Sequence, residues 1–427
     1  MKGLAAAAGL GARGAHPVFG GFPGLGTSVS RIKEYRILGR TGFKVSDIAF
    51  GSAELTEPSL LEAVLNAGVN YIDSSEVYSN GGSERIIGRV IKGRSRSKIF
   101  VTTKIKVREN DTKATLLKKA EMCLERLQTD YIDCLMFHGP SSVEDLNSKA
   151  FHDTLDELQS RDRVRFRGVS CHGAQWGEVP VSMGHILQAA ARDGRFDVLL
   201  MVYNFLQREQ GEKVLEACRR NSVGAALMKT NPVLNYQERQ EEADAAAEAG
   251  RRLTENRMAT LAHLKKRSDS AETFRKQYGL TDYDQVRSAA IRFVLDHPDV
   301  SCVCTTIKNF SDLDFYMALS GKRLDGTAGQ SLSRYQAGPG RYYCRHACGE
   351  CEPACPQGIP VNTIMRYNHY YQAQGREKTA AVKYAALPHY QKASDCRDCP
   401  GECESACPHG LPVRSLLAQA HDRLISA

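Results

Sequence analysis

Eight short apolar runs, each parted from the next by an amphipathic stretch, constrain this chain more than any other feature. The runs are Ile48–Ser52, Tyr71–Ser75, Ile99–Lys104, Tyr131–His138, Phe166–His172, Val198–Asn204, Ala225–Thr230 and Ser301–Thr306. Their Val, Ile, Phe and Tyr residues come without polar alternation, as in parallel strands buried on both faces. Thr112–Leu127 places Leu116, Leu117, Ala120, Leu124 and Leu127 at helical spacing. Leu60–Ala67, Phe151–Gln159, Val181–Ala191, Glu209–Arg219, Val286–Leu295 and Ser311–Leu319 continue the alternation. Eight strand–helix units in ~280 residues predict an α/β fold of the (β/α)8 TIM-barrel type rather than an open doubly wound sheet. No GxGxxG follows the first strand, which argues the same way. Tyr35–Leu38 and Phe43–Val45 flank Gly39-Arg40-Thr41-Gly42, which predicts an N-terminal β-hairpin plugging the bottom of the barrel.

The barrel is assigned to residues 35–320 of 427. Residues 1–34 are rich in Gly and Ala. They read either as a loose tail or as the second half of a twin-arginine export signal whose arginines precede Met1. The compartment follows that choice: cytoplasm by default, periplasm if the start is truncated. Residues 231–285 are charged and Ala-rich and read as a solvated helical insertion after the seventh strand, placed where it could act as a lid. Gly and Ser are frequent in 321–342, which suggests a linker. The net charge of +8 suits anionic ligands and does not argue for nucleic acid. No apolar run reaches the ~18–20 residues of a membrane-spanning helix.

Of 14 cysteines, eight lie in the last segment, 343–427. They form two runs, Cys344-x3-Cys348-x2-Cys351-x3-Cys355-Pro356 and Cys396-x2-Cys399-x3-Cys403-x3-Cys407-Pro408. The last cysteine of each run opens a repeat, CPQGIPVNTIM and CPHGLPVRSLL. Bacterial ferredoxin runs have the form C-x2-C-x2-C-x3-C-P, with the fourth cysteine crossing to the other cluster. Both runs here depart by one residue at one gap. They predict two [4Fe–4S] clusters in a mostly helical ferredoxin-like domain, one held by Cys344, Cys348, Cys351 and Cys407, the other by Cys396, Cys399, Cys403 and Cys355. Zinc sites built from four cysteines remain an alternative, although those usually pair two CxxC knuckles. The other six cysteines read as buried small apolar residues.

Four polar residues fall at the C-terminal ends of three successive strands, where barrels of this type carry their function. Asp73 is in YIDSS, Tyr78 in the loop after it, Lys104 closes IFVTTK and His138 closes DYIDCLMFH. A phenol is a poor acid at neutral pH. A nearby ammonium eases proton donation, and a carboxylate holds that ammonium in place. A histidine orients a carbonyl. The set suits protonation of an oxygen while hydride arrives at the attached carbon. Singly, each has an ordinary structural role: a helix cap, a surface aromatic, a solvated charge, a satisfied core histidine.

The segment YIDSSEVYSNGGSERIIG resembles the signature of the aldo-keto reductase family, and the order Asp73, Tyr78, Lys104, His138 resembles its catalytic tetrad. The tail is similar to that of the family's iron–sulfur-containing bacterial branch. The resemblance implies a barrel that binds NADP(H), or NAD(H), and transfers hydride between the nicotinamide and a small-molecule carbonyl or alcohol. It implies Tyr78 as general acid/base, Lys104 and Asp73 as its tuners and His138 as the orienting group. It assigns Ser170, Tyr203, Lys229, Thr306, Lys308 and Asn309 to the dinucleotide, Tyr203 as the ring stacked on the nicotinamide and Lys308 as a partner of the 2′-phosphate. The family's Ser-Asn-His after strand five is Ser170-Cys171-His172 here, and Leu200 stands where a Gln is common. The clusters would exchange electrons with a redox partner protein, or be structural. The alternative is a catalytically weak barrel that serves as an iron–sulfur electron-transfer or docking subunit.

Overall fold

A computed structural model describes residues 30–172, 182–231, 258, 283–346, 348–374 and 376–425. The N-terminal segment up to residue 29, expected as a loose tail or part of an export signal, and nearly all of the charged insertion lie outside the described residues. Eight parallel strands close a barrel: β3 (Ile48–Gly51), β4 (Tyr71–Asp73), β5 (Phe100–Ile105), β6 (Ile132–His138), β7 (Val164–Cys171), β8 (Val198–Val202), β9 (Gly224–Met228) and β10 (Cys302–Thr305), with β10 pairing back to β3. All eight are the apolar runs read from the sequence, differing only at their ends. Strands β1 (Tyr35–Ile37) and β2 (Lys44–Ser46) form the antiparallel hairpin. Leu38 of its turn is buried inside the barrel, and the Arg40 amide donates to the Ser222 carbonyl at 2.6 Å, so the hairpin seals the N-terminal end.

Side chains fill the barrel interior. Tyr71 stacks on Phe100 with centroids 5.4 Å apart, and Phe100 stacks on Phe166 at 6.1 Å. Cys134, Cys302 and Cys304 complete this packing, and all six scattered cysteines are buried, as small apolar residues should be. The outer helices follow the strands: α1 (Pro58–Asn66), α2 (Gly82–Ile91), α3 (Lys113–Leu127), α4 (Lys149–Ser160), α5 (Met183–Asp193), α6 (Glu209–Arg220), α7 (Tyr283–Asp296) and α8 (Phe310–Leu319). Local chemistry sets their starts. Pro58 opens α1, where its missing N–H goes unneeded, and Thr112 and Thr115 cap α3 reciprocally.

The signature segment earns its Glu and Gly structurally. Fully buried Glu84 accepts from Thr103 at 2.5 Å and pairs with Arg126 at 2.6 Å, tying α2 to β5 and α3. A Cβ at Gly88 would stand 2.6 Å from the Arg126 carbonyl oxygen, so only glycine permits this approach of α2 to α3.

Residues 321–342, expected as a linker, instead carry helix α9 (Gly326–Ala337), capped by Asp325. Its Leu332 and Tyr335 pack with Phe205, Leu206, Val286 and Ala289 of the barrel. Gly and Ser content misled there, because Leu332 and Tyr335 supply enough apolar surface to fix the helix. The last segment is helical: α10 (Val361–Gln374), α11 (Glu377–Ala385), α12 (Glu402–Ser405) and α13 (Val413–Ile425), with a separate core around Ile364, Tyr367, Tyr384 and Leu417. The sequence repeat is also a structural one. Gly358 and Gly410 take φ +61° and +60°, and each amide bonds the preceding cysteine's carbonyl at 3.1 Å. Glu352 then accepts from the Asn362 amide and Glu404 from the Arg414 amide, at 2.5 and 2.9 Å, so each repeat starts its helix on a carboxylate.

Candidate active site

The C-terminal ends of β4, β5 and β6 bring the four polar residues together. Lys104 is fully buried and its Nζ donates to Asp73 Oδ2 and to the Ser74 carbonyl, each at 2.6 Å. Two of its three N–H groups are thereby fixed, and Nζ stands 5.0 Å from the Tyr78 ring centroid. Tyr78 opens a tight turn in which Ser79, Asn80 and Gly81 all take positive φ, +49°, +52° and +78°. Left-handed non-glycine residues are costly, and their clustering beside a polar site marks a turn held for function. His138 lies edge-on to Tyr78 with centroids 6.3 Å apart, and its Nδ1 is 3.0 Å from Ser75 Oγ. That contact fixes the ring and leaves Nε2 for a substrate oxygen.

Electrostatics refine the expected roles. Burial pushes the Tyr78 phenol up, the Lys104 charge pulls it back, and the net is above an ordinary tyrosine. The ammonium therefore acts in the expected sense, but burial outweighs it. Burial also opposes the Lys104 charge, yet Asp73 and Tyr78 overcome this and hold the ammonium firmly protonated. Burial and then the charges of Lys106 and Lys104 depress His138, so it is neutral at physiological pH.

The residues assigned to the dinucleotide behave unequally. Ser170 is buried directly across the β6–β7 ladder from His138, and among the described residues its hydroxyl makes no hydrogen bond. It is thus an uncommitted polar group at the mouth. Tyr203 is corrected: it is 1% exposed, stacks on Phe293 of α7 at 5.6 Å and donates its hydroxyl to Glu212 at 2.6 Å. Its ring belongs to the core outside the barrel wall and offers no open face to a nicotinamide. Thr306 and Lys308 lie in the loop after β10, and Asn309 caps α8 through the Asp312 amide at 2.8 Å. Lys229 turns toward the tail, donating to the Tyr370 hydroxyl at 2.8 Å. Sequence reasoning missed Ser75, which holds His138, and Lys106, whose charge depresses it.

The clustered thiols act on one another mostly within two sets, although Cys403 of one set also acts on Cys351 of the other. Burial raises Cys344, and the thiols of Cys348, Cys351 and Cys407 push it further. Burial holds Cys396 up at about 12, with Cys355, Cys403 and Cys399 adding to the effect. Among the described residues, no group of three or more His, Cys, Asp or Glu side chains is gathered so as to hold a single metal ion.

Residues 48–324 match the model of the aldo/keto reductase family. The chain belongs to this family. Among curated aldo/keto reductases, AMT2 of Alternaria alternata is 28% identical over 240 residues, covering 44% of this chain and 62% of the relative. YhdN of Bacillus subtilis is 26% identical over 215 residues, covering 45% and 61%. The chain thus spans less than two thirds of the length of these relatives. Among solved structures, the holo form of AKR11C1 from Bacillus halodurans is 19% identical, covering 70% of this chain and 95% of its own, with a TM-score of 0.49. An aldo-keto reductase from Klebsiella pneumoniae in complex with NADPH is 21% identical, covering 73% and 98%, also at 0.49.

Proposed function

We propose that this aldo/keto reductase family member transfers hydride between NADP(H) and a carbonyl or alcohol substrate, with Tyr78 as proton donor. The observation that carries the reading is Lys104, fully buried and fixed by Asp73 and the Ser74 carbonyl, with its remaining N–H free for the phenol. Bound NADPH supplies the hydride. Tyr78 donates its proton to the oxygen that gains the electron pair. Lys104 stabilises the phenolate left behind, and Asp73 keeps Lys104 in place. Neutral His138 donates from Nε2 to the carbonyl, oriented by Ser75. Ser170, free to hydrogen-bond at the mouth, and the Thr306–Asn309 loop with Lys308 are the residues that would hold the dinucleotide; NAD(H) is the second candidate. The assembled proton donor favours an enzyme over a docking scaffold. The test is NADPH binding by fluorescence, then carbonyl-dependent NADPH oxidation, on anaerobically purified protein. Absence of both overturns the reading.

We further infer that the tail, 343–427, holds two [4Fe–4S] clusters. A cubane presents each thiolate to a different iron, so its ligands stand further apart than those of a single ion. The electrostatic grouping of Cys344, Cys348, Cys351 and Cys407, and of Cys396, Cys399, Cys403 and Cys355, supports the crossed arrangement. The clusters would pass single electrons to a redox partner. Anaerobic protein should contain about eight iron atoms with matching acid-labile sulfide. Cys355→Ser with Cys396→Ser removes two ligands of one cluster and should leave about four irons. Loss of nearly all iron would contradict the crossing, and zinc without sulfide would end the cluster reading.

A further inference from the structure

The tail reaches the barrel mouth through one face of α10. Arg366 and Tyr370 are one turn apart, and both meet residues that directly follow barrel strands. Tyr370 accepts from Lys229, just beyond β9, at 2.8 Å, and Arg366 Nη1 lies 2.8 Å from Nδ1 of His172, just beyond β7. Lys106, just beyond β5, completes the group. Arg366 is 4% exposed and its Nε is buried with no partner.

Among the described residues, no carboxylate forms an ion pair with Lys106, Lys229 or Arg366. The adjacent Glu76 accepts from the Lys106 backbone amide at 2.7 Å rather than from its ammonium. After burial, the charge of Arg366 is the strongest depressing influence on Lys106 and one of those acting on Lys229, so Arg366 stands between the two lysines at the strand ends. Arg366 is buried and Lys106 and Lys229 are half-buried. Glu76 acts on Lys106, Arg366 acts on Glu352, and the cations draw the Tyr370 phenol down to about 8, so an excess of positive charge gathers here that an entering anion relieves.

We propose that this junction binds the carboxylate of an oxo-acid substrate, with Lys106, Lys229 and Arg366 as its anion-binding residues. The proposal rests on the carbonyl-reduction reading and deepens it. Its position favours substrate over dinucleotide. His172 lies two residues past Ser170, which pairs with His138, and Lys106 acts on His138 itself, so the group lies on the carbonyl side of the site. The loop assigned to the adenosine phosphate follows β10 instead. On this account the tail supplies a specificity-determining residue to the barrel.

The experiment compares kcat/KM for ω-oxo alkanoates with that for n-alkanals of the same chain length, using NADPH and the full-length protein. Wild type should prefer the charged series by about tenfold or more, and the preference should shrink with added salt. Arg366→Met and Lys106→Met should each cut that ratio about tenfold, through KM for the oxo alkanoates. Arg366→Lys should keep part of it. If Arg366→Met fails to fold, Lys106→Met, on the barrel side, carries the test. Equal use of the two series by wild type overturns the proposal while leaving the reductase standing. Variants that weaken NADPH binding and leave the ratio unchanged assign the cations to dinucleotide phosphate and also overturn it. No turnover of either series defeats both readings.

Discussion

Tyr78→Phe should lower kcat for carbonyl reduction by about 10²- to 10⁴-fold, the usual contribution of a positioned proton donor. The substitution removes one hydroxyl and keeps the ring against His138 and the Lys104 ammonium, so fold and dinucleotide affinity should stay close to wild type. The same phenol sets the pH profile. Its pKa lies above the ordinary tyrosine value because burial outweighs Lys104. The protonated form is the donor, so reduction should be flat across neutral pH and fall only as the medium passes the usual phenol range. Oxidation of the alcohol, which needs the phenolate, should rise over that same alkaline interval. A reduction limb near pH 7 would show that another group gives the proton.

Lys104→Met should damage both stability and turnover. The side chain is fully buried and its Asp73 partner is 3% exposed. Removing the ammonium leaves a buried carboxylate with nothing to balance it, a loss of about 3–5 kcal/mol in comparable buried pairs. It also removes the charge that stabilises the phenolate. Denaturant unfolding should therefore show a lower midpoint with an unchanged slope, and residual activity should resemble that of Tyr78→Phe. Asp73→Asn combined with Lys104→Met should recover part of the stability and none of the activity, because the neutral amide needs no counter-charge. Equal stability losses in the single and double variants would show that the pair is not the source of the cost.

The barrel was legible in the chain because its signal is redundant. Eight buried strands of the α/β alternation each announce themselves by apolar runs, and one misplaced end leaves the others in register. The polar residues at β4, β5 and β6 were legible for the same reason, since strand ends fix where a side chain emerges. Tyr203 was not, because the period of two along a strand puts neighbouring residues on opposite faces, and β8 ends just before it. The resemblance suggested an aromatic at that place without fixing its face. Helix α9 was hidden by its Gly and Ser content, while its two large apolar residues decided the outcome. The meeting of Arg366 with His172 joins positions 194 apart in the chain, and no local pattern foretells such a contact.

Direct hydride transfer is the claim on which the rest stands. It is tested by supplying NADPH deuterated at the transferable position to anaerobic wild-type protein with a carbonyl substrate and analysing the alcohol by mass spectrometry. The account predicts one deuterium on the carbinol carbon of each product molecule, with the hydroxyl proton drawn from solvent through Tyr78. Product alcohol without deuterium at that carbon would mean that the electrons arrive singly and the carbon-bound hydrogen comes from water, and the barrel chemistry described here would be wrong.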